Sequence, residues 1–326
     1  MIVLQSVNAY KQFYCKSNDE GRRLDRVIKK MLPGLPAGLI YSSLRKGRIK
    51  VNGCKVKQSY NTGPGDVIEV HESIFYEIPD SKLPKINPVE ASAELQKMTV
   101  LRTKNLLLMN KPSGMLTHGD NSLAQLLKVG LFDIEDSLSF TPSPLHRLDR
   151  NTSGLIIAGT TIRGAAHFSQ LMRDKKIRKY YLGLCLGGPK TDIVLQDRLI
   201  RRNNKSRTSV SPEAGETAAV TRVFPLLSEN RYVLCLFRID TGQTHQIRSQ
   251  LSSAGFPLAG DVKYGGDAPG FRSYILHSFS MQLDESDEIC GFQSVRAELP
   301  CPSRTILYKL LGESKVISAL NNIEYF

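Results

Sequence analysis

Apolar and polar positions change period several times along the chain. Leu24, Val27, Ile28 and Met31 recur at three- and four-residue steps between Arg22, Arg23, Arg26, Lys29 and Lys30, which predicts an amphipathic helix with a basic outer face. The breakers PGLPAG follow, and LIYSSLRKG predicts a second helix that stops at Gly47. RIKVNGCKVKQ then alternates with period two about Asn52-Gly53, a two-residue hairpin signal. Gly63-Pro64-Gly65-Asp66 is a further turn ahead of the strand VIEV. Residues 1–77 therefore read as a small α+β module of two short helices and a hairpin sheet. Residues 78–100 carry Pro79, Pro84 and Pro88 among charged and small residues and read as a linker, extended where proline forbids helix. In residues 101–326, LLLMN, LIIAGTT, KYYLGLCLG, ETAAVTRVF and RYVLCLFRID read as strands, and TIRGAAHFSQLMRDKK and QTHQIRSQLSSAG as helices. These do not alternate regularly. The pattern predicts an α+β fold with a mostly antiparallel mixed sheet flanked by helices.

Composition narrows the class. A chain of 326 residues has room for two domains, and its formal net charge of +13 favours a polyanionic partner, of which nucleic acid is the commonest in a cell. A basic surface kept for solubility is the plain alternative. The longest apolar run, around Leu106–Met109, is far short of a bilayer span, so no membrane partner is expected. The start MIVLQSVNAYKQ lacks the pattern of a secretory signal, so the cytoplasm is the expected compartment. Six scattered cysteines form no CxxC pair; buried thiols are expected rather than disulfides or a metal site.

Three segments can carry chemistry. In His146-Arg147-Leu148-Asp149-Arg150-Asn151-Thr152-Ser153-Gly154, a carboxylate stands between two arginines in a polar turn before a buried strand. Neighbouring positive charge favours the ionised form that a nucleophile needs, although an Asp that caps backbone amides fits the same spacing. In Asp240-Thr241-Gly242-Gln243-Thr244-His245-Gln246-Ile247-Arg248, a strand turns into a helix whose apolar stripe is Ile247, Leu251 and Ala254, with Gly255 as its stop. Arg248 borders that stripe and can reach a carboxylate, or can lie solvated. In Ile177-Arg178-Lys179-Tyr180-Tyr181, only one of the two rings faces a given side of the strand. A ring in a basic cleft suits stacking on an extruded base. A fourth segment, Asn110 to His118, reads as a strand exit and turn that offers little by itself.

Two resemblances join these pieces. RLDRVI, LRKGRIKVNG and GPGDVIEV, over about residues 21–70, resemble the small RNA-binding domain named after ribosomal protein S-four. That resemblance implies RNA contacts from Arg22, Arg23, Arg45, Lys46, Arg48, Lys50 and Lys55. NKPSGMLTHG, HRLDRNTSGLIIAGTT, the K-Y-Y-L segment and TGQTHQIRSQL…GFPLAGDVKYGG, in order over about residues 101–280, resemble the RluA-type RNA pseudouridine synthases. The resemblance implies a catalytic domain that isomerises uridine in RNA, with ribosomal RNA as the expected partner, transfer RNA as the second candidate, no cofactor, and a monomer. It implies Asp149 as the essential aspartate, Arg248 as its partner, and Tyr181 as the ring that stacks on the target base. It also implies Arg147 as the residue that fills the gap left by the flipped nucleotide and Ile247 as an apolar neighbour of the site. His146 and Arg150, beside them in the same turn, complete the expected substrate contacts. Gln243 stands where a basic residue is usual and Gln250 where histidine is frequent, which bears on RNA contacts rather than on bond breaking.

Two other classes compete. A catalytically silent RNA-binding or ribosome-assembly protein would share the charge and the basic module, though not the need for Asp149, Tyr181 and Arg248 together. An RNA methyltransferase needs a glycine-rich cofactor loop between strand and helix, and the nearest candidate, Gly183 to Gly188, has the wrong setting.

Overall fold

The computed structural model describes residues 9–77, 87–131, 137–201, 208–211 and 218–325. The described residues up to Ala93, with those of Leu126–Ser143 and Thr160–Arg163, form one compact unit. Those of Glu94–Gln125, Pro144–Gly159 and Gly164–Phe326 form the other.

In the smaller unit, β1 (Tyr10–Tyr14), α1 (Leu24–Met31), α2 (Ala37–Lys46), β2 (Ile49–Val51) and β3 (Val67–His71) follow one another. Helix α1 buries Leu24, Val27 and Ile28, as the three- and four-residue spacing requires, and leaves Arg26, Lys29 and Lys30 outside. Helix α2 ends at Gly47 with φ of 75°, its N–H donating to the Leu44 carbonyl. The three strands form an antiparallel sheet in the order β1-β3-β2. The turn at Asn52-Gly53 forms with both residues at positive φ. The strand expected on its far side shrinks to a single Val51–Cys54 bridge, and β2 pairs with β3 instead. Beyond Cys54, Val56 packs against the core of this unit while Lys55 and Lys57 are exposed, without forming a strand. Within the same unit the buried Asp19 carboxylate accepts from the Ser137 and Ser139 hydroxyls and from the Leu138 and Ser139 N–H groups.

Pro79 and Pro84 of the expected linker lie outside the described residues. Its later part is regular structure: α3 (Pro88–Met98) is helical rather than extended, and β4 (Thr99–Arg102) is a strand. Pro88 occupies the first helical position, where its missing N–H costs nothing.

The larger unit is built on an 11-stranded sheet. After β4 the chain forms β5 (Leu106–Lys111), α4 (Leu123–Gly130), β6 (Ser143–Pro144), β7 (Ser153–Gly159), α5 (Ile162–Arg173), β8 (Ile177–Leu186), β9 (Ile193–Arg201), β10 (Thr208–Ser211), β11 (Ala218–Glu229) and β12 (Tyr232–Ile239). There follow α6 (Gln246–Ser253), β13 (Leu276–Asp287), β14 (Phe292–Arg296), α7 (Cys301–Leu311) and α8 (Glu313–Asn321). The order is β10-β9-β11-β12-β8-β13-β7-β5-β4, with β14 paired to β13 and β6 to β7. The pairing of β13 with β7 is parallel, whereas β8 pairs antiparallel with both β12 and β13. Two cores cover the sheet, one around Leu182, Leu184, Leu236 and Leu307, the other around Leu108, Ile157, Phe168 and Met281. Neither β13 nor the helices α7 and α8 belong to the pattern read from the sequence. Buried His277, Ser278 and Ser280 break the apolar signature of β13.

Candidate active site

The turn that carries Asp149 is fixed from below before it meets any substrate. Lys111, at the end of β5, is fully buried, and its ammonium donates to the carbonyls of Pro112, Met115 and Arg150 at 3.0, 2.9 and 3.2 Å. Three donors meet three acceptors. Burial presses the Lys111 pKa down to about 8, with the charge of Asp149 working against that shift. Gly114 N–H also donates to the Arg150 carbonyl, the Ser113 hydroxyl to Asn151, and the Thr117 hydroxyl to Leu148. The segment from Asn110 to His118 is thus the cradle of the turn that carries Asp149, a placement that its sequence did not disclose.

On the far side of the turn, Gly154 has φ of 107° and lies so close to β13 that an added Cβ would stand 2.2 Å from the Ser278 carbonyl oxygen. Only glycine permits β7 to run there. Fully buried His277 fixes the same junction: its Nε2 lies 3.0 Å from the Ala297 carbonyl and must donate, leaving Nδ1 to accept from Ser153 Oγ at 2.9 Å. Burial lowers its pKa to about 4, consistent with that neutral ring.

The second wall is α6. Sequence spacing predicts a helix with one apolar stripe, but Gln246 to Leu251 are all buried, and Ala254, assigned to the stripe, is exposed. The polar side is satisfied by amides one turn apart. Gln246 Oε1 accepts from Thr241 Oγ1 and from Gln243 N–H, and its Nε2 donates to the Val220 carbonyl and to Thr221. Gln250 accepts from Thr221 Oγ1 and donates to Asp197 and to the Ala219 carbonyl. Gln250 is therefore a tie to β9 and β11, wholly inside the protein.

This clamped helix brings Arg248 to Asp149. Arg248 Nη1 donates to Asp149 Oδ2 at 3.0 Å, and the Arg248 side chain is 7% exposed. Its other edge donates to Asp261, Nε to Oδ2 at 2.7 Å and Nη2 to Oδ1 at 2.9 Å. Tyr264 and Tyr274 flank the guanidinium, with ring centroids at 4.9 and 4.3 Å. Burial opposes its charge, but Asp261, Tyr274 and Asp149 together hold its pKa above the ordinary arginine value. His245 caps the helix with φ of 56°, its Nδ1 2.8 Å from Tyr264 Oη and its Nε2 3.7 Å from Asp149 Oδ2.

An open cleft of about 440 Å³ lies over this pair, lined by Arg147, Asp149, Tyr181, His245, Ile247 and Arg248 among others. Tyr181 faces it, whereas Tyr180 turns to the opposite face and joins the core around Leu182 and Leu236. Burial, with the nearby Asp149 charge, pushes the Tyr181 phenol up to about 12, so it is protonated at neutral pH. Arg147 is exposed at the cleft, and Ile247 is buried in its wall.

Two expected substrate contacts point elsewhere. The His146 ring turns toward β7, where Nε2 accepts the Ile157 N–H at 3.1 Å; burial and the Lys179 charge lower its pKa to about 3. Arg150 Nε donates to the Gly114 carbonyl, bracing the cradle. In the smaller unit Arg45, Lys46 and Lys55 are exposed, and Lys50 lies over the Tyr10 ring at 4.6 Å. Arg22 donates to Ser139, Arg23 pairs with Asp25, and Arg48 pairs with Glu77 and donates to Ser73.

One group of metal-ligand type converges among the described residues: His167, Asp287 and Cys290, with ligand atoms within 4.8 Å of one another. His167 Nε2 and Asp287 Oδ2 stand 2.6 Å apart, a hydrogen-bond length. Two ligands on one zinc sit about 3.3 Å apart at tetrahedral geometry.

An Asp–Arg–Asp chain thus lies under an open cleft with a tyrosine ring on its wall and a large mixed sheet beneath, and comparison with known proteins gives the class. Residues 105–253 match the RNA pseudouridylate synthase family, and residues 22–68 match the S4 domain. A protein of Vibrio cholerae named ribosomal large subunit pseudouridine synthase C is 30% identical over 272 residues, covering 81% of this chain and 85% of its own. One of the same name from Haemophilus ducreyi is 29% identical over 325 residues, covering 96% of this chain and all of its own. The solved structure of human RNA pseudouridylate synthase domain containing 4 shares the fold, with a TM-score of 0.59 at 20% identity over 68% of this chain and 96% of that one. The chain belongs to the RNA pseudouridylate synthase family.

Proposed function

We propose that this enzyme converts specific uridines of large-subunit ribosomal RNA to pseudouridine, with Asp149 as the reactive carboxylate. The observation that carries the reading is the 3.0 Å contact of Arg248 with Asp149 at the base of a cleft that also holds Tyr181. The relatives named as large-subunit pseudouridine synthases support the substrate class. On this reading the protein works in the cytoplasm, on RNA drawn to its basic surface. Among the described residues, no helix is long and apolar enough to cross a membrane.

The reaction is an isomerisation, so its atoms balance without any outside group. The bond from ribose C1′ to N1 breaks, the uracil turns, C5 bonds to C1′, the proton leaves C5, and N1 ends protonated. An ionised carboxylate can attack C1′, attack the pyrimidine, or assist departure of the base. Each role needs the ionised carboxylate, within hydrogen-bond reach of the Arg248 guanidinium. Stacking of the ring of Tyr181 on the flipped base retains it while it turns. Arg147, exposed at the cleft mouth, can enter the helix where the nucleotide has left. Extrusion costs a few kcal/mol, which phosphate contacts from the smaller unit offset.

The test replaces the carboxylate by its isostere. Asp149→Asn is expected to lower pseudouridine formation about 10⁴-fold or more, with RNA affinity changed less than about threefold. Pseudouridine sequencing of ribosomal RNA from cells lacking the protein identifies the target; an unchanged pattern there, or turnover by Asp149→Asn, overturns the proposal.

A further inference from the structure

We propose that Asp261 is a positioning residue for the isomerisation, holding Arg248 so that a single N–H and no full neutralising charge reaches Asp149. The inference rests on the reading of Asp149 as the reactive carboxylate.

Asp261 is 1% exposed and stands in a loop built to hold it still. Its N–H donates to the Leu258 carbonyl, and its own carbonyl accepts from Tyr264 and Gly266. Gly260 N–H closes the loop on the Gly266 carbonyl at 2.7 Å. A Cβ on Gly266 would lie 1.9 Å from the Leu258 oxygen, so the loop closes this tightly only with glycine there. Tyr264 of the same loop meets His245, and its carbonyl accepts from Ser252 Oγ. Both residues that α6 presents to Asp149, His245 and Arg248, are thus steered from one loop.

The fork is asymmetric. Asp261 takes Nε and Nη2, the edge on which a guanidinium binds a carboxylate by two parallel bonds, and only Nη1 is left for Asp149. The three groups sum to one negative charge. Were Asp149 the sole partner, the pair would be neutral and the carboxylate a weaker nucleophile or base. A pair buried for stability alone is a poor use of two charges, since the desolvation of both rivals their attraction.

The test compares Asp261→Asn, Asp261→Ala, Arg248→Ala, Arg248→Lys and the double variant Arg248→Ala/Asp261→Ala, with Asp149→Asn as the control. Rates are taken per folded molecule, counted by stoichiometric RNA binding. Asp261→Asn, which keeps the shape without the charge, should lower kcat about 10²-fold while KM for RNA stays within about threefold. Arg248→Lys, which cannot fork, should lose a similar factor. The double variant should be no slower than Arg248→Ala within about threefold, because Asp261 acts through Arg248. Wild-type kcat in Asp261→Asn, or losses that multiply in the double variant, would overturn the proposal and leave Asp149 untouched. If Asp149→Asn turns over, it is the underlying reading that fails.

Discussion

The two units hold their positive charge in opposite ways. In the smaller unit Arg45, Lys46 and Lys55 project into solvent, and the Arg23–Asp25 pair lies at the surface. In the larger unit Arg248 is out of water, divided between two acids and boxed by two rings. Exposed charges act on RNA through a screened field to which each contributes a little. A buried guanidinium acts through direction, and a shift of about 1 Å matters. The difference teaches which substitutions should be graded and which should be abrupt.

The sharpest way to break that contrast is Arg248→Ala. It should lower kcat about 10²–10³-fold, with RNA affinity nearly intact, in single-turnover assays against binding titrations. It should also lower stability by about 3–5 kcal/mol in urea melts, because Asp261 is left buried without its partner. A loss seen mainly in affinity would make Arg248 one more field charge. Next, Tyr181→Leu removes the cleft ring and should reduce kcat/KM about 10–100-fold, the worth of one stacked base. Tyr181→Phe should bind RNA as the parent does, so whatever kcat it loses belongs to the hydroxyl.

The smaller unit has its own exception. Burial would raise the Asp19 pKa, but hydrogen bonds from Ser137, Ser139, Leu138 and Lys16 outweigh it and hold the group below the usual carboxylate value of 3.8. The folded pKa is depressed, so its stabilisation is fully present above the unfolded value and is lost as pH falls through the folded one. Asp19→Asn should therefore cost about 1–3 kcal/mol at neutral pH and flatten the acid limb of the stability curve. An unchanged acid limb would deny Asp19 that role. Smallest of all, Arg45→Ala, Lys46→Ala or Lys55→Ala should each weaken RNA binding about two- to threefold and reduce the salt slope by about one for each phosphate no longer neutralised. A single one of these that abolished turnover would erase the distinction between the units.

Periodicity revealed α1, α2 and β3 in the smaller unit, each with one wet side, and short unbroken apolar runs revealed β5, β7, β8 and β12 in the larger, which are covered on both. The pattern failed where polar side chains are buried. Strand β13, with His277, Ser278 and Ser280 inside, was missed, and α6 was expected as a helix but with one apolar stripe, whereas it buries Gln246 and Gln250 as well. The pairing of Asp149 with Arg248 spans 99 residues and came into view through family resemblance rather than spacing. Lys111 and Asp261 escaped notice because a buried charge looks, in a sequence, like a surface one. A lysine directly after LLLMN is the signal that could have exposed the first.

The neighbouring rings of β8 make the enzyme sensitive to an error that composition would not reveal. Loss or gain of one residue between Ile177 and Tyr180 would send the second tyrosine into the interior and offer the first to the substrate. Such a chain would keep its aspartate, its arginine and both phenols, yet meet a uridine with a ring carried one step out of place.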